Sequence, residues 1–408
     1  MNAVVRIRGI AAGGDGVGSL DDGLTVFVPR TAPGETVEVT VVRRRRSYAR
    51  ARLARVLEPS AERVEPRCPH YAGDDCGGCQ LQHLGSWAQR SARAAIVADA
   101  LGRIGGAAVA VEPPDPAADE WEYRSRVTLA ARGGRIGFHR HGRPGDVFEL
   151  VRCHIARPEI QELWTALRQC RRLFPPALES VMLRIDRSGR RHCFLKSAGE
   201  RAWTRAPELA RALAAAGVPV VLWWAPERGA PRVMAGPAES PAALVFEQVH
   251  PAMGDRARRH AVDALGPVSG RTVWDLYAGI GETTGLLLDQ GAAVESVEVD
   301  ARAVAEAERR SVAGRARRHT GRVEDLLDRL GAADAVIANP PRTGLAPEVT
   351  GRFAAQPPER LVYVSCDPAT LARDASRLAS SHRLDSVTLF DLFPQTAHVE
   401  TVARFERR

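Results

Sequence analysis

The chain opens with segments in which apolar and polar side chains alternate: MNAVVRIRGI, LTVFVPR and ETVEVTVVRRR, separated by turn residues at Gly13-Gly14-Asp15-Gly16 and Ala32-Pro33-Gly34. A period of two buries one face of each segment, so residues 1–57 read as short strands. About five such strands closing on themselves give a small barrel of the OB type. Proline and charge from Glu58 to Arg67 mark a linker. Residues 58–245 mix helical and strand periods. A helix is predicted from Ser86 to Leu101, strands at YRSRVTLAA and RIGFHRH around a Gly133-Gly134 turn, and a helix near 157–172. The hairpin SVMLRIDRSGRRHCFLKSA and the strand VPVVLWW follow. Over 246–408 the pattern changes to alternating units. Strand TVWDLY precedes a helix near 283–290, strand VESVEV a helix near 301–313, then come strands DAVIAN and RLVYVS and a helix near 368–379. Apolar strands alternating with helices predict an α/β fold with a parallel, doubly wound sheet.

At 408 residues, 45% of them apolar and 26% charged, the chain has the composition of a soluble globular protein with sizeable cores. Disorder, collagen-like repeats and a small disulfide scaffold are excluded. The longest uncharged apolar run, Ala212 to Pro226, contains Gly217 and Pro219 and falls short of the roughly 20 residues of a bilayer span. With no charged leader before a long apolar stretch, a cytoplasmic protein is expected, and a monomer is the default.

Lysine plus arginine number 57 against 49 acidic residues, a net charge of +8, which suits a polyanionic partner such as nucleic acid. Only Lys196 is lysine, so the bias toward arginine weakens the argument from net charge and shifts it to placement. Arg43 to Arg46, Arg50, Arg52 and Arg55 flank a single aromatic, Tyr48. A basic strand pair on a small barrel fits a single-stranded nucleic-acid backbone; a solvated hairpin is the plainer reading. Of seven cysteines, Cys68, Cys76 and Cys79 cluster, while Cys153, Cys170, Cys193 and Cys366 are dispersed. In a reducing compartment a cluster points to metal ligation or catalysis.

Two stretches carry chemistry. Asp275-Leu276-Tyr277-Ala278-Gly279-Ile280-Gly281 stands where the first strand of the alternating region turns into a helix, the edge at which such folds bind nucleotides. Glu298 closes the next strand, where a carboxylate can accept from both ribose hydroxyls. Thr284 replaces the third glycine of the dinucleotide pattern, which points to a cofactor with a ribose and no pyrophosphate, such as S-adenosylmethionine. Further on, Cys366 follows the apolar strand LVYV and precedes Asp367-Pro368, a good N-cap and first helical residue. The helix amides and dipole are expected to favour its thiolate. Paired with such a nucleophile, Glu400 in FPQTAHVE becomes a candidate base.

DLYAGIG, NPPRTGL, VSCDPATLARD and FPQTAHVE, in this order, resemble the RNA uracil-5 methyltransferases that make 5-methyluridine in transfer and ribosomal RNA. Phe246-Glu247-Gln248-Val249 resembles that family's F-x-Q segment, the N-terminal barrel its TRAM domain, and Cys68, Cys76 and Cys79 with Cys153 its iron–sulfur site. The resemblance implies a class I Rossmann-like methyltransferase domain over 246–408, a TRAM barrel over 1–57 and a mixed α+β iron–sulfur and RNA-binding region over 58–245. It implies Cys366 adding to C6 of the base and Glu400 removing the C5 proton. It also implies a cofactor site lined by Gln248, Tyr277, Gly279, Gly281, Glu298 and the positions of Glu282 and Asn339, and favours ribosomal over transfer RNA. Three features depart from the family's pattern: Asn339 stands for Asp, Glu282 for Asn, and Cys68-x7-Cys76 is two residues longer. The four cysteines imply a 4Fe-4S cluster, with zinc as the alternative. Cys170 and Cys193 read as packed thiols. Two other readings stay open: an amino-group methyltransferase, from Asn339-Pro340-Pro341 with Arg342 in the aromatic's place, and an RNA-binding iron–sulfur protein without catalysis.

Overall fold

The computed structural model describes residues 2–199, 201–237, 245, 247–310 and 316–408. Phe246 and the last residues of the helix expected to reach 313 lie outside the described residues. The alternating N-terminal segments form a six-stranded sheet, one strand more than the pattern suggested, because Gly9–Ile10 adds a short rung. Its inward positions, among them Val5, Val26, Val28, Val37, Val39 and Ala49, share one core, and Arg43 to Arg46 stand exposed at its far end.

A second six-stranded sheet follows, ordered Arg232–Ala235, Val221–Ala225, Arg191–Ser197, Leu178–Ile185, Arg126–Arg132, Arg135–Gly137. Helices Pro158–Gln169 and Ala206–Ala215 bury Leu163, Trp164, Leu209 and Leu213 against it. The sequence reading missed the second helix. The apolar run from Ala212 is divided at Gly217, whose φ of 76° ends the helix so that a strand can start at Val221.

The third sheet has seven strands, ordered Ala316–Thr320, Ala293–Glu298, Thr272–Leu276, Ala335–Ala338, Arg360–Ser365, Thr401–Arg407, His382–Leu389. The first five run parallel. The expected all-parallel sheet is corrected at its far edge: Thr401–Arg407 inserts antiparallel between Arg360–Ser365 and His382–Leu389. No helix links the last two strands, only the segment 390–400, and a connection without a crossover returns antiparallel.

Helix Ser86–Arg103 precedes the second sheet in the chain yet buries Ala94, Val97 and Leu101 in the core of the third, with Leu371, Ala372 and Ala375. Its Arg93 anchors the 390–400 segment. One guanidinium nitrogen lies 2.6 Å from Asp391, both side chains fully enclosed, and the other donates to the carbonyls of Phe393 and Thr396. Arg93→Ala would strand the Asp391 charge in the interior. The expected loss is about 3–5 kcal/mol, read as a lower urea midpoint at unchanged slope; a loss below about 1 kcal/mol would mean that water replaces the guanidinium.

Candidate active site

At the carboxyl edge of the third sheet the first strand turns through Tyr277, Gly279 and Gly281, all at positive φ (61°, 55° and 77°). Gly281 caps helix Glu282–Asp289, and a Cβ there would meet Ala307 Cβ at 2.9 Å, so backbone angle and neighbour both demand glycine. Thr284, in the slot of the missing third glycine, donates 2.6 Å to Asp275. Burial pushes that carboxyl up to about 7.

Glu298 ends the neighbouring strand. One of its oxygens accepts from the amide of Gly279 and the other from that of Asp300, each at 2.8 Å, which ties the glycine turn to the second strand. Glu282 is engaged on both oxygens, by Arg187 at 2.7 Å and Arg258 at 2.6 Å, and Asp255 completes a charge-balanced quartet. Arg187 comes from the hairpin turn of the second sheet, so the quartet bridges that sheet and the helix that follows the glycine turn. Asn339 is exposed just past Ala335–Ala338, its amide bonded to Leu276 O. Gly279, Glu298, Asn339 and Cys366 thus follow the ends of four adjacent parallel strands.

Cys366 is half-buried between strand Arg360–Ser365 and helix Pro368–Leu378. Asp367 caps that helix as anticipated, accepting from the amides of Ala369 and Thr370. The expected lowering of the thiol does not occur. Burial raises the Cys366 pKa most, the Glu400 charge adds to it, and Arg342 acts the other way. The helix amides that were to favour the thiolate are already taken by Asp367, whose own charge opposes it. Arg342, read from sequence only as a missing aromatic, supplies the positive charge that favours the thiolate. Its NPPR loop follows the strand that pairs with the one before Cys366, an adjacency that no local pattern announces.

Glu400 reaches the same edge because its strand runs the other way: Thr401 pairs with Ser365 and donates its hydroxyl to the Ser365 carbonyl. Its carboxyl is buried, accepts 3.2 Å from Gln248, and is pushed up to about 7 by burial.

Cys68, Cys76, Cys79 and Cys153 line one cavity of about 350 Å³, together with Phe138 and His398. Among the described residues no three His, Cys, Asp or Glu side chains are grouped to hold a metal ion. Cys193 is buried and Cys170 packs beside the same core. On the N-terminal sheet Tyr48 is half-buried edge-on to Phe27 at 5.8 Å, while its arginine neighbours face solvent. No helix among the described residues is long and apolar enough to cross a membrane.

Parallel strands with a glycine turn, and a carboxylate ending the second strand, at their carboxyl edge belong to the S-adenosylmethionine-dependent methyltransferase fold. The structure of a Pyrococcus abyssi tRNA (uracil-54, C5)-methyltransferase with S-adenosyl-L-homocysteine shares the fold, with a TM-score of 0.73 over 99% of each chain at 23% identity. A family model described as tRNA (Uracil-5-)-methyltransferase matches residues 292–408, and the TRAM domain matches 4–54. The chain is 31% identical over 443 residues to the 23S rRNA (uracil(1939)-C(5))-methyltransferase RlmD of Thiobacillus denitrificans, covering all of both chains. It is 32% identical to that of Azoarcus over 95% of each, and 32% identical to an uncharacterized RNA methyltransferase of Streptomyces coelicolor over 98% of this chain and 92% of that one. The chain belongs to the RNA uracil-5 methyltransferase family.

Because burial raises the Glu400 carboxyl from 4.5 to about 7, its contribution to stability is fully present below about pH 4.5 and is lost as pH rises through 7. Glu400→Gln removes the buried charge. It is expected to stabilise the fold at pH 8 by about 3 kcal/mol, with the difference vanishing at pH 4. Paired thermal melts at the two pH values check this.

Proposed function

We propose that this enzyme methylates C5 of a uridine in 23S ribosomal RNA, with Cys366 as nucleophile and Glu400 as the base. The meeting of the two across the Ser365–Thr401 pair, at the same sheet edge as the glycine turn, carries this reading. C5 of uracil is a weak nucleophile. Addition of the Cys366 sulfur to C6 makes C5 enolate-like, and S-adenosylmethionine supplies the methyl group. Arg342 stabilises the thiolate before attack and receives it again on departure. Glu400 then takes the C5 proton, the C5–H pair re-forms the C5–C6 double bond, and the C6–S bond breaks. Gln248 holds the carboxylate in place. Attack on the face of the ring requires a base out of its stack, and the exposed arginines of the barrel hold the flanking backbone. Gln248, Tyr277, Gly279, Gly281, Glu298 and Asn339 would line the cofactor, with Glu282 fixing the loop through its arginines. The amino-group alternative leaves the Cys366–Glu400 pair without a task.

Ribosomal RNA is favoured over transfer RNA because full-length relatives at 31–32% identity are named for 23S rRNA. The enzyme is read as a cytoplasmic monomer. Cys68, Cys76, Cys79 and Cys153 would hold a 4Fe-4S cluster. The four thiols line one shared cavity of about 350 Å³, room enough for a cluster. Bound there, it would cross-link the cysteine segment to the Cys153 loop. Anaerobically purified protein is expected to absorb near about 400 nm; a colourless, zinc-loaded protein would reverse this assignment.

Incubation with unmodified 23S rRNA and the methyl donor, followed by nucleoside mass spectrometry, is expected to give 5-methyluridine. Cys366→Ala abolishes both the product and any covalent adduct with 5-fluorouridine-substituted RNA; methylated adenosine or guanosine, or product from Cys366→Ala, would sink the proposal. Because burial raises both the Cys366 thiol and the Glu400 carboxyl, the rate at saturating substrates should climb from pH 6 to 8.5, by about tenfold per unit at the acid end.

A further inference from the structure

The segment 390–400, which delivers Glu400, has no helix or strand, yet Pro394, Gln395, Thr396, Val399 and Glu400 are all buried. A buried segment without regular structure keeps its shape only through bonds to its surroundings. Besides the Arg93 bonds and that of Tyr123 to the Pro394 carbonyl, they converge on Gln395, a non-glycine residue at φ 71°. Its carbonyl accepts from the amides of both Gln80 and Leu81, at 3.2 and 3.1 Å. Its amide donates 2.9 Å to Gln89 Oε1, and Gln89 Nε2 returns a bond of 3.0 Å to Gln395 Oε1. Two residues on, the amide of Ala397 donates 3.3 Å to Gln80 Oε1, while Gln80 Nε2 donates 2.7 Å to the Gly77 carbonyl. The barrel closes over the same point: a Cβ on Gly14 would lie 2.5 Å from Gln80 Cβ and 3.0 Å from Ala397 Cβ. Gln80 is the chain neighbour of Cys79.

We propose that Gln80, Gln89 and Gln395 are positioning residues that form a lock setting the Glu400 carboxylate from the cysteine site, so that disturbing this lock impairs removal of the C5 proton rather than attack or methyl transfer. The inference rests on Glu400 being the base. Sulfur addition and methyl transfer need no base on this segment. Proton removal does, because the C5–H pair must re-form the ring double bond as the C6–S bond breaks. A displaced Glu400 therefore leaves the methylated base attached to Cys366, a consequence that a merely weaker fold would not produce.

The test uses the full-length enzyme with unmodified 23S rRNA and S-adenosylmethionine, comparing wild type, Glu400→Gln, Gln80→Ala and Gln89→Ala. Readouts are the covalent RNA–protein adduct on denaturing gels, released 5-methyluridine, KM for the methyl donor, and absorbance near about 400 nm. Gln80→Ala and Gln89→Ala are expected to slow release about tenfold and raise the adduct several-fold. KM should stay within about twofold, and Gln80→Glu, which keeps the acceptor for Ala397, should recover part of the rate. Gln89 lies on helix Ser86–Arg103 and, unlike Gln80, does not line the cysteine cavity, so its variant keeps the test decisive if Gln80→Ala loses the absorbance band. Slower release without adduct in both variants, while Glu400→Gln accumulates it, would overturn the lock alone, as would wild-type behaviour in both. Wild-type enzyme that makes no 5-methyluridine, or Glu400→Gln that releases product normally, would overturn the underlying reading, and the lock with it.

Discussion

The reversal of one strand governs this site. Had the last strand entered the third sheet parallel to its neighbours, Glu400 at its start would lie at the amino edge, a strand's length from Cys366. Entering antiparallel, with Thr401 opposite Ser365, it begins where the others end. Parallel strands supply the glycine turn, the Glu298 carboxylate and the cysteine; a strand of opposite sense adds a group from the far end of the chain to the same edge.

The electrostatics of this edge are those of a site at rest. Enclosure holds the proton on both Cys366 and Glu400, and each negative charge would disfavour the other; the guanidinium of Arg342 pulls the opposite way for the sulfur. Such a pair resists ionising together without compensation. Enclosure raises Asp275 in the same manner beneath the glycine turn, where its partner is a neutral hydroxyl. Glu282 shows the contrary arrangement, a carboxylate paired with two arginines, one of them from another sheet.

What was legible in the sequence was local punctuation. Glycines at positive φ, the Asp367 cap and the strand-to-helix transitions lie within a few residues of one another, and all stand where the pattern placed them. Helix Pro251–Asp263 escaped because PAMGDRARRHAVD buries mostly small residues, leaving no strong apolar stripe. Strand Ala316–Thr320 escaped because an edge strand spelled ARRHT has nothing to alternate. The direction of the thiol shift was misread for a related reason: the Asp367 cap and helix dipole are visible in sequence, whereas the walls that enclose Cys366 arrive from strands and loops distant along the chain.

Helix Ser86–Arg103 has a consequence for how the molecule comes into being. Translation delivers it well before residues 361–405, whose apolar faces it completes. A nascent chain must keep Val97 and Leu101 from other partners until nearly the whole polypeptide has left the ribosome, and a gene fragment beginning at residue 246 would encode a sheet with one flank bare. Residues 246–408 are therefore no self-sufficient folding unit, and the early helix has to be supplied with them.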